Sequence, residues 1–378
     1  HTRCLSDWSS DVCSSDLVKP TILQQEDLKS ATSGASILEN LIMRPALGSN
    51  SWIAAGSQTV TGRPILENDP HLGVSTPSLY YEIALHSEGN ETEAPIDAAG
   101  VAFSPFLGVA IGHNATAGWG ITIGKGVDAW DTYEIHPNPT APLAQYEWNG
   151  GWRDYTLRTE TFNIAGAAPV TVTIRETLHG PIINDTLVQD ASGARMTPSD
   201  KPLALRWVGL EPTELCTALY QLLHVKSFDD FHKALSHWTA PSCNLSYADT
   251  AGNIGYQLTG KAPIRAKDHT GLIPAPGWTD ASLWKGFIDY EDFPKIYNPD
   301  RGLIIHTNQA VAPPEFFDRL SGKYGNDVNT YFQATAFYGY RAGRLDTLLT
   351  GKAPYSLDDF AKVQADIKLD SVNEVMDY

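Results

Sequence analysis

The chain has 378 residues, with 44 acidic against 27 basic side chains and a formal net charge of −17. Its 42% apolar and 19% charged residues are typical of a folded protein and exclude a largely disordered one. The acidic balance argues against a nucleic-acid-binding protein, and the lack of any run of about 18 apolar residues argues against a membrane span.

The first 17 residues differ from the rest of the chain. They hold two of the four cysteines, Cys4 and Cys13, show no periodicity, and lack the features of a signal peptide. We interpret 1–17 as a non-native, adapter-like segment, so that any natural leader would be missing from this sequence. The remaining Cys216 and Cys243 are too few for a disulfide framework or a cysteine-based metal site.

Residues 20–47 carry apolar side chains at helical spacing, which predicts a helix. The chain then changes to strands, because 52–56 and 64–68 flank a Thr61-Gly62 turn and predict a hairpin. Ten Trp and 16 Tyr, with Gly and Pro together at about 15%, also favour a β-rich fold. Further strands are predicted at 79–85, 109–112, 119–123, 156–164 and 170–174.

Helices return in the second half of the chain, and Ser227 is the predicted N-cap of one of them. The pattern as a whole predicts a layered α/β (α+β) fold without the crossovers of nucleotide-binding proteins. Gly-x-Ser-x-Gly, His-Glu-x-x-His and Walker-type motifs are all missing, which weakens the alternatives of a conventional serine hydrolase or a zinc hydrolase. The predicted elements are helices at 213–223, 228–238 and 357–378, and strands at 245–248, 254–258 and 303–305.

The segment Gly48-Ser49-Asn50-Ser51-Trp52 stands where the first predicted helix meets the first strand. Taken alone, it could be an ordinary turn. It is followed by a series of short motifs over about 320 residues, and with them the chain resembles the penicillin acylase (penicillin amidase) family of N-terminal-nucleophile hydrolases. These motifs are Asn68-Asp69-Pro70-His71-Leu72, Gly108 to Asn114, Trp119-Gly120, Asp128-x-x-Asp131-x-Tyr133, His179-Gly180-Pro181, Arg206-Trp207, Asn244-x-x-Tyr247-Ala248-Asp249, Gly252 to Tyr256, Asn308 and Arg341.

The resemblance implies a four-layer αββα sandwich of the N-terminal-nucleophile hydrolase type, incomplete in this chain. It also implies a precursor that cleaves itself between Gly48 and Ser49. On this interpretation 18–48 is the C-terminal end of an α chain, and 49–378 is a β chain that is incomplete at its C-terminus.

The nucleophile implied by the resemblance is Ser49. A serine hydroxyl needs a base to take its proton, and the freed α-amine of Ser49 would have an unperturbed pKa of about 7.7–8.0. One residue would therefore supply both nucleophile and base near neutral pH, through a bridging water and without a catalytic cofactor.

The resemblance assigns the oxyanion-binding groups to the side chain of Asn308 and the backbone N–H of Ile123, with a contribution from His71 and with Arg341 nearby. From the residues alone, Asn308 could equally cap a strand, and His71 could be a buried structural histidine. The implied substrate-binding residues are His71, Leu72, Ile111, Trp207 and Cys243. Most are apolar and suit a hydrophobic acyl group, although Ile111 and Trp207 could equally be core residues.

Many members of the family bind a structural Ca²⁺, and Asp128, the carbonyl of Trp130 and Asp131 match that loop. Paired carboxylates with a carbonyl suit a hard cation. Asp318 is the nearest candidate for a further ligand, and a solvated acidic turn is the alternative.

The expected function is hydrolysis of a linear amide in a small N-acyl compound: a penicillin or cephalosporin side chain, an N-acyl homoserine lactone or a similar amide. The α and β chains would come from one precursor, exported to the periplasm or secreted. The competing hypothesis is a non-processing, catalytically inactive binding or scaffold domain of the same fold.

Overall fold

The computed structural model describes residues 48–72, 76, 78–103, 108–124, 130–183, 201–267, 269–325, 339–368 and 370. The helix predicted at 20–47, the adapter-like segment 1–17 and Asp128 lie outside these residues. The strands are β1 Gly48–Ala54, β2 Ile65–His71, β3 Tyr80–Ser87, β4 Ile96–Phe103, β5 Ile111–Asn114, β6 Ala117–Ile123, β7 Trp130–Glu134, β8 Gln145–Trp148, β9 Gly151–Asp154, β10 Thr156–Phe162, β11 Val170–Thr177, β12 Gly180–Pro181, β13 Leu203–Trp207, β14 Cys243–Asp249, β15 Ile254–Leu258, β16 Ala275–Pro276, β17 Lys295–Tyr297 and β18 Leu303–His306. The α-helices are α1 Leu215–Leu222, α2 Phe228–Leu235, α3 Pro314–Tyr324, α4 Tyr340–Leu349 and α5 Leu357–Gln364.

Two antiparallel sheets face each other at the centre of the fold. The smaller has the strand order β18-β1-β2, and the larger has the order β17-β15-β14-β6-β5-β4-β3. Strands β1 and β2 pack across β6 and β14, so the first strand of the described chain lies over the middle of the larger sheet. Three smaller sheets, β10-β11-β12, β13-β7-β16 and β8-β9, complete the β structure of the described ranges.

Side-chain alternation along each strand builds the outer layers. In β1, Trp52 and Ala54 pack in one apolar cluster with Leu345 of α4 and Phe360 of α5. The alternate residues of β1 face the larger sheet instead. Burying large apolar side chains of this kind stabilises the fold by about 1.5–3 kcal/mol each.

The larger sheet buries its far face in the same way. Leu245 and Tyr247 of β14 pack against Leu219 of α1 and Phe231 of α2. The order of layers is therefore α4 and α5, small sheet, large sheet, α1 and α2. This order confirms the predicted αββα sandwich.

The space between the two sheets has two ends of opposite character. The apolar end contains Ile53, Ala248, Ile254, Tyr256, Leu258 and Ile304. The polar end contains Ser49, Ser51, Thr122, Asn244, Ser246, His306 and Asn308, all of them buried. Buried polar groups must be hydrogen-bonded to avoid a cost of about 1–3 kcal/mol each, so this end depends on a connected network.

Most predicted elements agree with the structure in type. The hairpin of β1 and β2 is confirmed, and Ser227 accepts a hydrogen bond from the Asp230 N–H at 3.1 Å as the N-cap of α2. The predicted helix 357–378 is longer than α5, which ends at Gln364 and is followed by the exposed Ile367. Helices α3 and α4 were not predicted.

A buried histidine ties the β13-β7-β16 sheet to the β10-β11-β12 sheet. The ring of His179 stacks on Tyr133, with centroids 3.9 Å apart, and its Nε2 lies 3.0 Å from the carbonyl oxygen of Gly277. Because a carbonyl only accepts, Nε2 carries the proton. Burial lowers the pKa of His179 to about 4, since a charged ring would lose its hydration.

We expect His179 to weaken the fold in acid. In the unfolded chain its pKa is about 6.5, so between pH 6.5 and 4 the unfolded state takes up a proton that the folded state excludes. The free energy of unfolding should therefore fall by up to about 1.4 kcal/mol per pH unit in this window. Urea unfolding at several pH values should show a flatter pH dependence for His179→Gln, which keeps the donor. The exposed control His86→Gln should leave the slope unchanged, and an equal slope in wild type and His179→Gln would contradict this assignment.

Candidate active site

Ser49 lies in strand β1, where its backbone hydrogen bonds leave the regular ladder. The β1–β18 register pairs Ser51 with His306, and its continuation would pair Ser49 with Asn308. Strand β18 ends at His306, however, and Asn308 has a left-handed backbone with φ 67°. Asparagine tolerates this conformation better than most residues. The amide side chain of Asn308 thus takes the place that a strand backbone would have occupied.

The backbone and hydroxyl of Ser49 are both held in place. Its N–H donates to Oδ1 of Asn308 at 2.7 Å, and its Oγ donates to the carbonyl oxygen of Gly48 at 2.6 Å. The hydroxyl therefore contacts the carbonyl of the peptide bond that precedes it. Ser49 is 3% exposed.

Asn308 connects Ser49 to Ile123 at the end of β6. Its Oδ1 accepts from Ser49, and its Nδ2 donates to the carbonyl oxygen of Ile123 at 2.9 Å. Oδ1 also accepts from Nη2 of Arg341, and the presence of two donors at this atom fixes the orientation of the amide. The structure thus brings the two predicted oxyanion-binding residues together, and their catalytic role stays a prediction.

Arg341, in the first turn of α4, binds the ends of β1 and β18. Its Nη1 donates to the Ser49 carbonyl oxygen at 2.8 Å and to Oδ1 of Asn50 at 2.6 Å. Its Nη2 donates to the carbonyl of Thr307 and, at 2.9 Å, to Oδ1 of Asn308. Burial lowers the pKa of Arg341, but a guanidinium starts so high that it stays charged. A planar fork with several donors suits this arrangement of acceptors.

His71, at the end of β2, lies opposite Gly48 in the β1–β2 register. Its Nε2 is 2.9 Å from Oδ2 of Asp69, and its side chain is 36% exposed. His71 is therefore not the buried structural histidine of the alternative interpretation. Leu72 follows directly and is partly buried.

The predicted acyl-binding residues divide into two groups. Cys243 lies opposite Ile123 in the β14–β6 register, and Ile111 packs against the same apolar cluster as Cys243. Tyr80 is a neighbour of Cys243. Burial, and to a smaller extent the Cys243 thiol, raise the pKa of Tyr80 to about 12. Trp207 ends β13 on another sheet, is exposed, and is not among the described members of that cluster.

Asn68 and Gly120 belong to the sequence motifs, but the sequence assigned neither of them a role in the site. The side chain of Asn68 donates to the carbonyls of Asn50 and Ile121 at 3.0 and 2.9 Å and accepts from the Ile121 N–H at 2.8 Å. It therefore joins β1 to β6. A Cβ on Gly120 would lie 2.9 Å from Cβ of Asn68, so only glycine fits there. The motifs Asn68-Asp69-Pro70-His71 and Trp119-Gly120 were the signal that could have identified this pair.

A profile of the penicillin amidase family matches residues 7–378. This chain belongs to the penicillin amidase family. It is 28% identical to the acyl-homoserine lactone acylase QuiP of Pseudomonas aeruginosa over 328 residues, which are 86% of this chain and 36% of that protein. It is 30% identical to the penicillin G acylase of Escherichia coli over 262 residues, which are 69% and 29% of the two chains.

The fold agrees with that of a solved penicillin G acylase. The thermostable enzyme from Alcaligenes faecalis matches with a TM-score of 0.67 and 26% identity, over 84% of this chain and 52% of that one. The Penicillin acylase 2 proenzyme of Pseudomonas sp. strain SE83 is 27% identical over 84% of this chain and 37% of its own length. The penicillin amidase chain described here thus spans about a third of the curated relatives that it matches.

The carboxylate of Asp131, an expected calcium ligand, is already bound by cationic and neutral donors. Nε of Arg265 lies 2.9 and 3.0 Å from its two oxygens, Nε2 of His269 lies 3.0 Å from Oδ2, and the Trp284 indole N–H also donates to Oδ2. The guanidinium of Arg265 reaches the Trp130 carbonyl at 3.4 Å as well. Burial raises the pKa of Asp131, but the hydrogen bonds and charges of His269 and Arg265 outweigh that effect and hold it below its usual value.

As folded, therefore, Asp131 and Trp130 do not fit a calcium site in this penicillin amidase, because a dication would have to displace the guanidinium of Arg265. Asp318 is exposed on α3. Within the described ranges, no group of three or more His, Cys, Asp or Glu side chains is arranged to hold a metal ion. With Asp128 outside the described residues, calcium binding stays a prediction.

The Arg265–Asp131 pair should be important for stability, since both side chains are almost completely buried. Arg265→Met would leave the Asp131 carboxylate without its main counter-charge, and we expect a loss of about 3–5 kcal/mol in the free energy of unfolding. The matched control is Arg301→Met, which removes a partly exposed pair with Asp346 and should cost about 0–1 kcal/mol. Chemical denaturation measures both variants, and equal losses would contradict this account.

Proposed function

We propose that this chain carries the catalytic centre of a self-processing amidase, with Ser49 as the N-terminal nucleophile. The observation that carries the proposal is the shared environment of Ser49 and Asn308. The backbone nitrogen of Ser49, which would become the base after cleavage, donates to the amide of Asn308, and that amide donates to Ile123. The potential base and the potential oxyanion donors are therefore grouped around Ser49. The family to which the chain belongs supports the same chemistry.

Processing begins at the bond between Gly48 and Ser49. The Ser49 hydroxyl attacks the carbonyl carbon of Gly48, the peptide nitrogen leaves as the α-amine of Ser49, and the resulting ester is hydrolysed. The contact of 2.6 Å between Ser49 Oγ and the Gly48 carbonyl oxygen supports this step, because the hydroxyl lies beside the carbonyl group that it would attack. In the uncleaved chain Gly48 pairs with His71, and cleavage would leave Ser49 as the first residue of strand β1. The word proenzyme in the name of one relative supports a processed precursor.

In the mature enzyme the α-amine of Ser49 takes the hydroxyl proton through a water, and Oγ attacks the amide carbonyl of the substrate. The side chain of Asn308 and the N–H of Ile123 bind the oxyanion, each such donor being worth about 2.7–4 kcal/mol. The tetrahedral intermediate expels the amine, and water then hydrolyses the acyl-enzyme. Arg341 holds Ser49 and Asn308 in register through its contacts to both.

The proposed substrate is a small N-acyl compound whose acyl group is apolar: a penicillin or cephalosporin side chain, an N-acyl homoserine lactone or a related amide. Two of the predicted acyl-binding residues, Ile111 and Cys243, would contact the acyl group, and Cys243 pairs with Ile123 in the β14–β6 register. Relatives named as acylases of both penicillin G and acyl-homoserine lactones support this class without choosing within it. We also propose a periplasmic or secreted location, in keeping with the net charge of −17. In the described part of the chain no helix has the length and apolar character needed to cross a bilayer.

The processing step is tested by intact mass on the full-length protein. We expect two chains that separate between Gly48 and Ser49, hydrolysis of an N-acyl amide, and a single uncleaved chain in Ser49→Ala. Hydrolysis by Ser49→Ala should fall by roughly 10⁴-fold or more. The exposed Ser57→Ala, in the same hairpin, should process and react like the wild type. A folded wild type that is neither cleaved nor active would favour the alternative of a non-processing scaffold domain.

A further inference from the structure

A hydrogen-bonded chain of buried side chains runs beneath the nucleophile, through a histidine that the proposed mechanism does not use. This histidine is His306, the last residue of β18, which is 3% exposed. Its Nδ1 lies 2.9 Å from Oγ1 of Thr122 on β6, and its Nε2 lies 2.7 Å from Oγ of Ser246 on β14. One ring thereby links both sheets at the polar end of the space between them.

The direction of every hydrogen bond on one side of the ring is set by a carbonyl group. Oγ of Ser51 donates to the Glu67 carbonyl at 2.8 Å, which uses its only proton. In its contact of 2.6 Å with Ser246, Ser51 must therefore accept, so Ser246 donates. Ser246 has then used its own proton and must accept from His306. Nε2 of His306 consequently carries a hydrogen.

A second carbonyl sets the direction on the other side. The Ile123 carbonyl oxygen can only accept, so the group of Asn244 that faces it at 3.1 Å is the amide nitrogen Nδ2. The same nitrogen donates to Oγ1 of Thr122 at 3.0 Å. The Tyr256 hydroxyl donates to Oδ1 of Asn244 at 2.7 Å, in agreement with that orientation. Thr122 is then free to donate its own proton to Nδ1 of His306. The ring is thus a neutral imidazole that accepts at Nδ1 and donates at Nε2.

Protonation of the ring would break this order, because Nδ1 would become a donor and could no longer accept the Thr122 hydroxyl proton. The complete burial of His306 acts in the same direction and lowers its pKa to about 3. The imidazole therefore stays neutral throughout the range in which an amidase would work.

Three residues of this network lie within two positions of a group in the proposed reaction. Thr122 precedes Ile123, and Ser51 is two residues after Ser49 in β1. His306 itself is two residues before Asn308. The amide of Asn244 and that of Asn308 both donate to the carbonyl oxygen of Ile123, at 3.1 and 2.9 Å. The series of hydrogen bonds through His306 therefore ends at the predicted oxyanion-binding residues.

We propose that His306 is a positioning residue for amide hydrolysis: its neutral imidazole fixes, relative to one another, the three strands that carry the nucleophile and the oxyanion-binding groups. This inference rests on the proposed function. It assigns no proton transfer to His306, whose two ring nitrogens are hydrogen-bonded to Thr122 and Ser246. Its effect is on geometry, where a displacement of about 1 Å can cost about 10²-fold in rate.

Kinetics on the processed full-length enzyme test the proposal, with active sites titrated so that only folded, cleaved enzyme is counted. His306→Leu removes both hydrogen bonds, and we expect kcat to fall by about 10- to 100-fold with little change in KM. His306→Gln retains one acceptor and one donor and should recover a large part of kcat. Thr122→Val, nearly equal in volume, should give an intermediate loss.

The matched control is His179→Leu, which removes another buried, neutral histidine that packs outside the two central sheets. It should lower the melting temperature as His306→Leu does and leave kcat per titrated site unchanged. A kcat for His306→Leu equal to that of the wild type would overturn the proposal. Equal losses of kcat in both variants would also overturn it, since they would reflect general destabilisation.

A second measurement does not depend on catalysis. Nitrogen-15 NMR of histidine-labelled wild-type protein should show two rings that stay neutral from pH 5 to 8 with the proton on Nε2, those of His179 and His306. The signal that is missing in His306→Gln belongs to His306, and an Nδ1–H tautomer or a titrating ring at that signal would overturn the proposal. If the wild type hydrolyses no N-acyl amide, the proposed function fails instead, and the NMR result still tests the hydrogen-bonded chain.

Discussion

The hydrogen bond from the Ser49 N–H to Oδ1 of Asn308 joins residues that are 259 positions apart, and the geometry of the candidate site depends on it. It exists because β18 stops at His306 and a left-handed Asn308 offers its side chain in place of the next strand residue. The same amide contacts Ile123 and Arg341, so a single side chain relates Ser49 to two other elements, β6 and α4. Without the αββα arrangement these residues would not meet.

The space between the sheets separates two physical tasks. At its apolar end, Ile53 and Ile304 pack with residues of β15 and supply hydrophobic stabilisation. At its polar end, each buried hydroxyl, amide and imidazole has a partner, which avoids the cost of an unpaired group and leaves few alternative arrangements. Polar contacts of this kind add little net stability. Their contribution is a defined position for Ser49 and Asn308, which suits a site that must be formed before any substrate binds.

The sequence predicted the features that depend on short-range pattern. Short runs at 52–56 and 245–248 indicated two of the strands, the Thr61-Gly62 turn indicated the hairpin, and the family resemblance carried by ordered motifs indicated Ser49, Asn308 and Arg341 as neighbours. Helix α3 was missed although Phe317, Leu320 and Tyr324 recur at helical spacing between Pro314 at its start and Gly325, with φ 69°, at its end.

The features that the sequence did not predict depend on contacts between distant residues. Asp131 looked like a cation ligand, and the side chains that bind it, Arg265 and His269, come more than 130 positions later. His306 belongs to no motif, and its tautomer follows only from hydroxyl directions on three strands. The sequence pattern therefore indicates which residues could react, whereas the packing determines which charges and protons surround them.

The central claim is that Ser49 forms the covalent bond to the substrate. It is tested most directly by rapid acid quench during turnover of an N-acyl amide, followed by peptide mass spectrometry. The account predicts the mass of the acyl group on the peptide that begins with Ser49, attached to its side chain. An acyl group found on another residue, or turnover without any acyl-enzyme under conditions where deacylation is slow, would contradict it.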